Sequence, residues 1–172
     1  FGSDIDTPNF DRLAAEGLRY RSFHTTAMCS PTRACLLTGR NHHTCAMGGI
    51  ADLAMGFPGY HGRIPKACGF VPEVLRQAGW ATFAVGKWHL APSDELHAAA
   101  PRDRWPLGQG FERYYGFLGG ETNQFAPDLV RDNSAIPFVA RDGYHVTDDL
   151  IDESIRVVND LRTVDADKPF FL

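Results

Sequence analysis

The sequence lacks any apolar run approaching the ~20 residues of a membrane-spanning helix. It lacks an excess of positive charge as well. Seventeen Lys and Arg face 21 Asp and Glu, for a net charge of −4. No basic run or stripe is present, which argues against nucleic acid as a partner. Cysteine is scarce: Cys29, Cys35, Cys45 and Cys68 are the four. None belongs to a Cys-x-x-Cys pair, so a structural zinc site is not indicated. Four cysteines in 172 residues are also too few for a disulfide framework. Reduced, mostly buried thiols are expected for Cys35, Cys45 and Cys68. There is no internal repeat, no dividing linker, no signal peptide and no initiator methionine at Phe1. The other end, Lys168-Pro169-Phe170-Phe171-Leu172, reads as the opening of a buried strand. The chain therefore reads as a piece of a longer protein. With 44% apolar and 22% charged residues, its composition is that of one soluble globular domain.

Against these absences, residues 29–39 stand out: Cys-Ser-Pro-Thr-Arg-Ala-Cys-Leu-Leu-Thr-Gly. Ser30 is a good helix N-cap, Pro31 suits the first helical position and Gly39 supplies the stop. This places Cys29 just outside the positive end of a short helix, where free N–H groups and the helix dipole favour an anion. Arg33, four residues on, can reach back over the same end. A buried cysteine before an ordinary helix is the plainer reading of Cys29 alone. The combination with Ser30, Pro31 and Arg33 favours an anion-handling site.

The rest of the chain reads as alternating α and β. Thr7-Pro8 opens a helix with Phe10, Leu13 and Ala14 on one face, closed by Gly17. The partial alternation of residues 18–23 suggests a short strand leading to Cys29. Residues 41–69 are turn-rich; His42 and His43 suit the negative end of the preceding helix better than a metal site. Residues 71–78 form a helix, and the apolar run 80–85 suits a buried strand. Gly86-Lys87-Trp88-His89 then puts a cation and an imidazole at a strand's carboxyl end, where α/β folds gather functional groups. Residues 91–145 are irregular and aromatic, read equally as the wall of a substrate cleft or as loops packed on the core. Thr147 caps a last helix with Asp148 and Asp149 at its positive end, and Leu150, Ile151, Val157, Val158 and Leu161 form its apolar face.

Residues 29–39 resemble the sulfatase signature, Cys-x-Pro-x-Arg followed by two apolar residues, Thr and Gly. Gly79 to His89 resembles the second signature, which ends in Gly-Lys, an aromatic and His; Trp80 departs from its usual Tyr or Val. The opening Thr-Pro-Asn-Phe-Asp-Arg-Leu-Ala, Gly110-Phe111-Glu112, Glu121 to Phe125 and the closing Lys-Pro-Phe-Phe follow sulfatase order too. The resemblance covers nearly the whole chain and is closest to arylsulfatases of the alkaline-phosphatase-like superfamily. It implies an α/β fold with a central, mainly parallel sheet flanked by helices, residues 1–172 being part of one catalytic domain cut at both ends.

The resemblance also implies a chemistry. Cys29 would be oxidised to formylglycine by a formylglycine-generating enzyme, and its hydrate would attack a small-molecule sulfate ester. Arg33 would orient the diol, Lys87 would bind sulfate oxygens, and His89 would hydrogen-bond or deprotonate the diol. Calcium would be the divalent cation, with residue 29, as formylglycine, its one ligand in this chain. The other ligands would lie before Phe1 and after Leu172. A phosphonate or phosphodiester hydrolase of the same superfamily and a non-catalytic sulfate-binding module are the rival readings. A cysteine-dependent phosphatase loop needs a longer spacing than the three residues between Cys29 and Arg33. The 172 residues alone are expected to be nearly inactive and to lack family-like calcium affinity. Calcium titration of this chain beside a version with its natural flanking sequence checks this, and equal affinity in both would refute it.

Overall fold

The computed structural model describes residues 4–172. The apolar run after Gly79 forms β1 (Ala81–Lys87), an interior strand of a five-stranded sheet. On one side β1 pairs in parallel with β2 (Arg113–Phe117), with Gly86 opposite Gly116. On its other side it pairs in parallel with β5 (Phe170–Phe171). Two short strands, β3 (Leu129–Arg131) and β4 (Ser134–Ile136), extend the sheet antiparallel beyond β2, giving the order β4-β3-β2-β1-β5. Asp132, with φ of 56°, and Asn133 form the two-residue turn between them, the geometry that Asp and Asn tolerate in tight hairpins.

Among the described residues there are four α-helices, α1 (Pro8–Glu16), α2 (Cys29–Thr38), α3 (Val71–Gln77) and α4 (Val146–Val164). Helices α3 and α4 both pack on β1, and α2 reaches α3. The main core gathers Met47, Phe70, Trp88, Leu90, Phe111, Tyr114 and Leu118. A second cluster joins Tyr115, Leu129, Tyr144 and Val146, fixing the start of α4 to the antiparallel edge. Gly116 is required by proximity: a Cβ there would lie 2.0 Å from the Gly86 carbonyl oxygen.

Several expectations need correction. Residues 18–23 form no strand, and Leu18, Tyr20 and Phe23 are exposed. Alternation alone does not make a strand, and among the described residues no neighbour offers this segment a ladder. Residues 91–145 are not wholly irregular, since β2, β3 and β4 lie within them. Trp105, Phe111, Tyr114, Tyr115 and Tyr144 are buried and Phe125 is exposed, so most of these aromatics pack the core. Helix α4 starts two residues earlier than read; its cap is His145 rather than Thr147, and a ring nitrogen of His145 accepts from the Thr147 N–H at 3.2 Å. Asp149 does more than face a dipole, because it accepts the hydroxyls of Tyr115 at 2.7 Å and Tyr144 at 2.9 Å.

The buried Glu153 ties α4 to the sheet. It is bonded by Arg131 of β3 and by Arg156 one turn along the helix. Burial alone would raise its pKa, but the two guanidinium groups outweigh this and hold it at about 2, below its ordinary 4.5. A carboxylate with a depressed folded-state pKa stabilises fully above the unfolded value and loses that contribution as pH falls. Denaturant midpoints should therefore drop between pH 4.5 and about 2, and Glu153→Gln should flatten that part of the profile.

Candidate active site

Helix α2 begins at Cys29 itself, with Met28 as its N-cap. Ser30 is thus not the cap. Its hydroxyl is committed to tertiary bonds, donating to the His89 carbonyl at 2.8 Å and accepting the Ala51 N–H at 3.1 Å. Pro31 still sits in the first turn, where a missing N–H costs nothing. Gly39 ends the helix in the left-handed conformation, φ 65°, with its N–H bonded to the Cys35 carbonyl.

Arg33 points from α2 to the carboxyl end of β1. Its Nε donates to the Trp88 carbonyl at 2.6 Å and its Nη2 to the Lys87 carbonyl. Burial lowers its pKa, while Tyr114 and Cys29 act in the opposite sense. The β1–β2 ladder runs on past Lys87, as Trp88 and His89 donate to Phe117 and Leu118 at 2.9 Å each. Trp88 is 1% exposed and anchors this turn through its indole N–H to the Arg104 carbonyl at 2.7 Å.

His89 then takes a left-handed φ of 52°. This conformation is uncommon for a residue with a side chain, and such strain concentrates at functional sites. It turns the imidazole towards α2, where Nδ1 lies 3.1 Å from the Cys29 sulfur. The ring's Nε2 meets the carboxylate of Asp52, whose other oxygen accepts the Ser93 hydroxyl at 3.0 Å. Gly120 backs the ring so closely that a Cβ there would lie 2.8 Å from Cε1. The hydrogen bond from His89 holds Asp52 below the usual carboxylate range against the effect of partial burial, and Ser93 adds to it.

Of the four residues picked out in the sequence, Cys29, Arg33 and His89 meet at the junction of α2 with β1. Lys87 ends β1 half-buried, and among the described residues no hydrogen bond or ion pair engages its ammonium. Asp52 and Ser93 were not signalled, because nothing in the turn-rich segment or in the spacing couples them to His89. The rings of His42 and His43 meet at a tilt of 41° with centroids 4.1 Å apart, and His43 Nε2 lies 3.0 Å from the Tyr60 hydroxyl. Among the described residues no group of three His, Cys, Asp or Glu could hold a metal ion. The four cysteines are free; Cys45 and Cys68 are buried and Cys29 and Cys35 are half-buried.

The sheet thus carries at the carboxyl end of β1 a cysteine on a helix N-terminus, an imidazole and two cations. The Sulfatase family model matches residues 1–172, and the chain belongs to that family. It is 40% identical over 147 residues to an uncharacterised sulfatase of Schizosaccharomyces pombe, covering 81% of this chain and 25% of that protein. It is 34% identical over 147 residues to an arylsulfatase of Klebsiella aerogenes, covering 84% and 28%. The solved structure of BT4656 in complex with its substrate D-glucosamine-2-N,6-O-disulfate superposes with a TM-score of 0.63 at 30% identity, covering 96% of this chain and 28% of that one. The fold is accordingly the α/β, alkaline-phosphatase-like one, and the chain spans about a quarter of the length of the curated relatives it matches.

Ser30 is fully buried and serves two backbone groups. Ser30→Ala should destabilise the fold by about 2–4 kcal/mol, since a buried donor and acceptor lose their partner. The exposed Ser134→Ala should stay within about 0.5 kcal/mol of the parent. Urea denaturation of both variants measures the difference.

Proposed function

We propose that the protein to which this chain belongs hydrolyses sulfate esters, using formylglycine made from Cys29. The observation that carries this reading is the placement of Cys29 at the first residue of α2, with His89 Nδ1 3.1 Å from its sulfur. The half-buried side chain of Cys29 leaves it reachable by a formylglycine-generating enzyme. Formylglycine there would supply, as its hydrate, a hydroxyl nucleophile for sulfur.

This chain's own residues then have distinct tasks. His89 accepts a proton from a hydroxyl at position 29, as its Nδ1 faces that position. The N-terminal end of α2 favours the negative charge of a bound sulfate. Lys87, with its ammonium unengaged, binds sulfate oxygens. Arg33 fixes α2 to β1 and contributes positive charge beneath the site. These are preorganised charges aimed where negative charge develops. Calcium would add a further cation, but the described residues do not gather a donor set for it. Residues 1–172 are the nucleophile-bearing part of a single catalytic domain in this reading. The K. aerogenes arylsulfatase relative supports an ester of a phenol, and the BT4656 complex supports an ester of a sugar.

The test uses the protein with its natural flanking sequence, from a host able to make formylglycine. Mass analysis of the peptide containing Cys29 should show the aldehyde, and an unmodified thiol would count against the mechanism. Rates on paired aryl sulfate and phosphodiester substrates should favour the sulfate. A preference for the phosphodiester would install the rival hydrolase reading, and binding of sulfated ligands without turnover would install a non-catalytic module. Cys29→Ala should lower the rate by about 1,000-fold or more.

A further inference from the structure

We infer that Asp52 is a positioning residue for His89, orienting the ring so that Nδ1 presents a lone pair to residue 29. The inference rests on the reading of residue 29 as the nucleophile. Its physical basis is a restricted ring. A carboxylate can only accept hydrogen bonds. With Asp52 against Nε2, the neutral imidazole carries its proton on Nε2, and Nδ1 is left as the acceptor. Nδ1 is the nitrogen 3.1 Å from Cys29.

Four further contacts restrict the ring to this orientation. The backbone of His89 is clamped at both polar groups, its carbonyl by Ser30 at 2.8 Å and its N–H by Leu118 at 2.9 Å. Gly120 closes the space behind the ring. Ser93 donates to the second oxygen of Asp52 at 3.0 Å and so fixes the carboxylate in turn. The chain of contacts runs from Ser93 through Asp52 and His89 to residue 29. When His89 takes a proton from a hydroxyl at position 29, the O–H bond breaks, an Nδ1–H bond forms, and the electron pair stays on oxygen for attack. The imidazolium positive charge then faces the Asp52 carboxylate. A carboxylate that orients an imidazole and stabilises its cation is a known device in acyl transfer, here on an unrelated fold.

The experiment has two readouts, one of which needs no catalysis. In protein with natural flanking sequence and 15N-labelled histidine, the His89 ring of the parent should show a single neutral form protonated at Nε2. Asp52→Ala should give a mixture of both neutral forms, and its kcat should fall about 100-fold with KM within about threefold. Asp52→Glu, which restores an acceptor, should recover the single form and part of the rate. Asp52 lies at a part-exposed position, so the Ala variant should fold; if it does not, Asp52→Asn is read by the same two measurements. A variant that keeps the single Nε2-protonated form and the parent kcat overturns the inference, and so does a loss confined to KM. If the parent hydrolyses no sulfate ester, the functional reading falls while the nitrogen shifts still decide the role of Asp52.

Discussion

Everything at the site depends on the fastening of α2 to the carboxyl end of β1. Arg33 supplies two donors to consecutive carbonyls of the turn after β1, and Ser30 supplies a third to the next residue. These bonds form in a largely buried setting, where a charged donor to a carbonyl is stronger than a neutral one. Without them the helix end that carries Cys29 and the turn that carries His89 would be separate surface features. With them, two residues 60 positions apart in sequence come within hydrogen-bonding distance.

The sheet makes that fastening possible by holding the turn itself. β1 is an interior strand, paired in parallel on both sides, and its ladder to β2 continues through Trp88 and His89. Tyr114 of β2 bonds the Gly86 carbonyl at 3.0 Å from within the core. The left-handed His89 is therefore over-determined by its surroundings, as strained residues in native sites must be.

Much of this was legible in the sequence, for physical reasons. The runs behind β1, α2, α3 and α4 are long or sharply punctuated, and Pro31, Pro72 and Gly39 bracket helices by local rules. The approach of Cys29, Arg33 and His89 to one another was legible because two spaced motifs carry them. β2, β3 and β4 were not, since five and three residues mixing Arg, Gly and Ser show no periodicity. Ser30 was misassigned as a cap because a hydroxyl's local preference yields to stronger tertiary partners. Asp52 was invisible for a related reason. Its contact with His89 arises from the path of residues 41–62 over α2, which no local pattern encodes.

The fastening also has a bearing on how the site can vary. The groups that Ser30 and Arg33 engage are main-chain atoms of Ala51, Lys87, Trp88 and His89. Main-chain atoms are the same in every amino acid. The junction itself therefore asks for no particular side chain at these four positions; Ala51 and Trp88 are held by their own packing in the core instead. Within the junction, the burden of constancy falls on the side chains of Ser30 and Arg33.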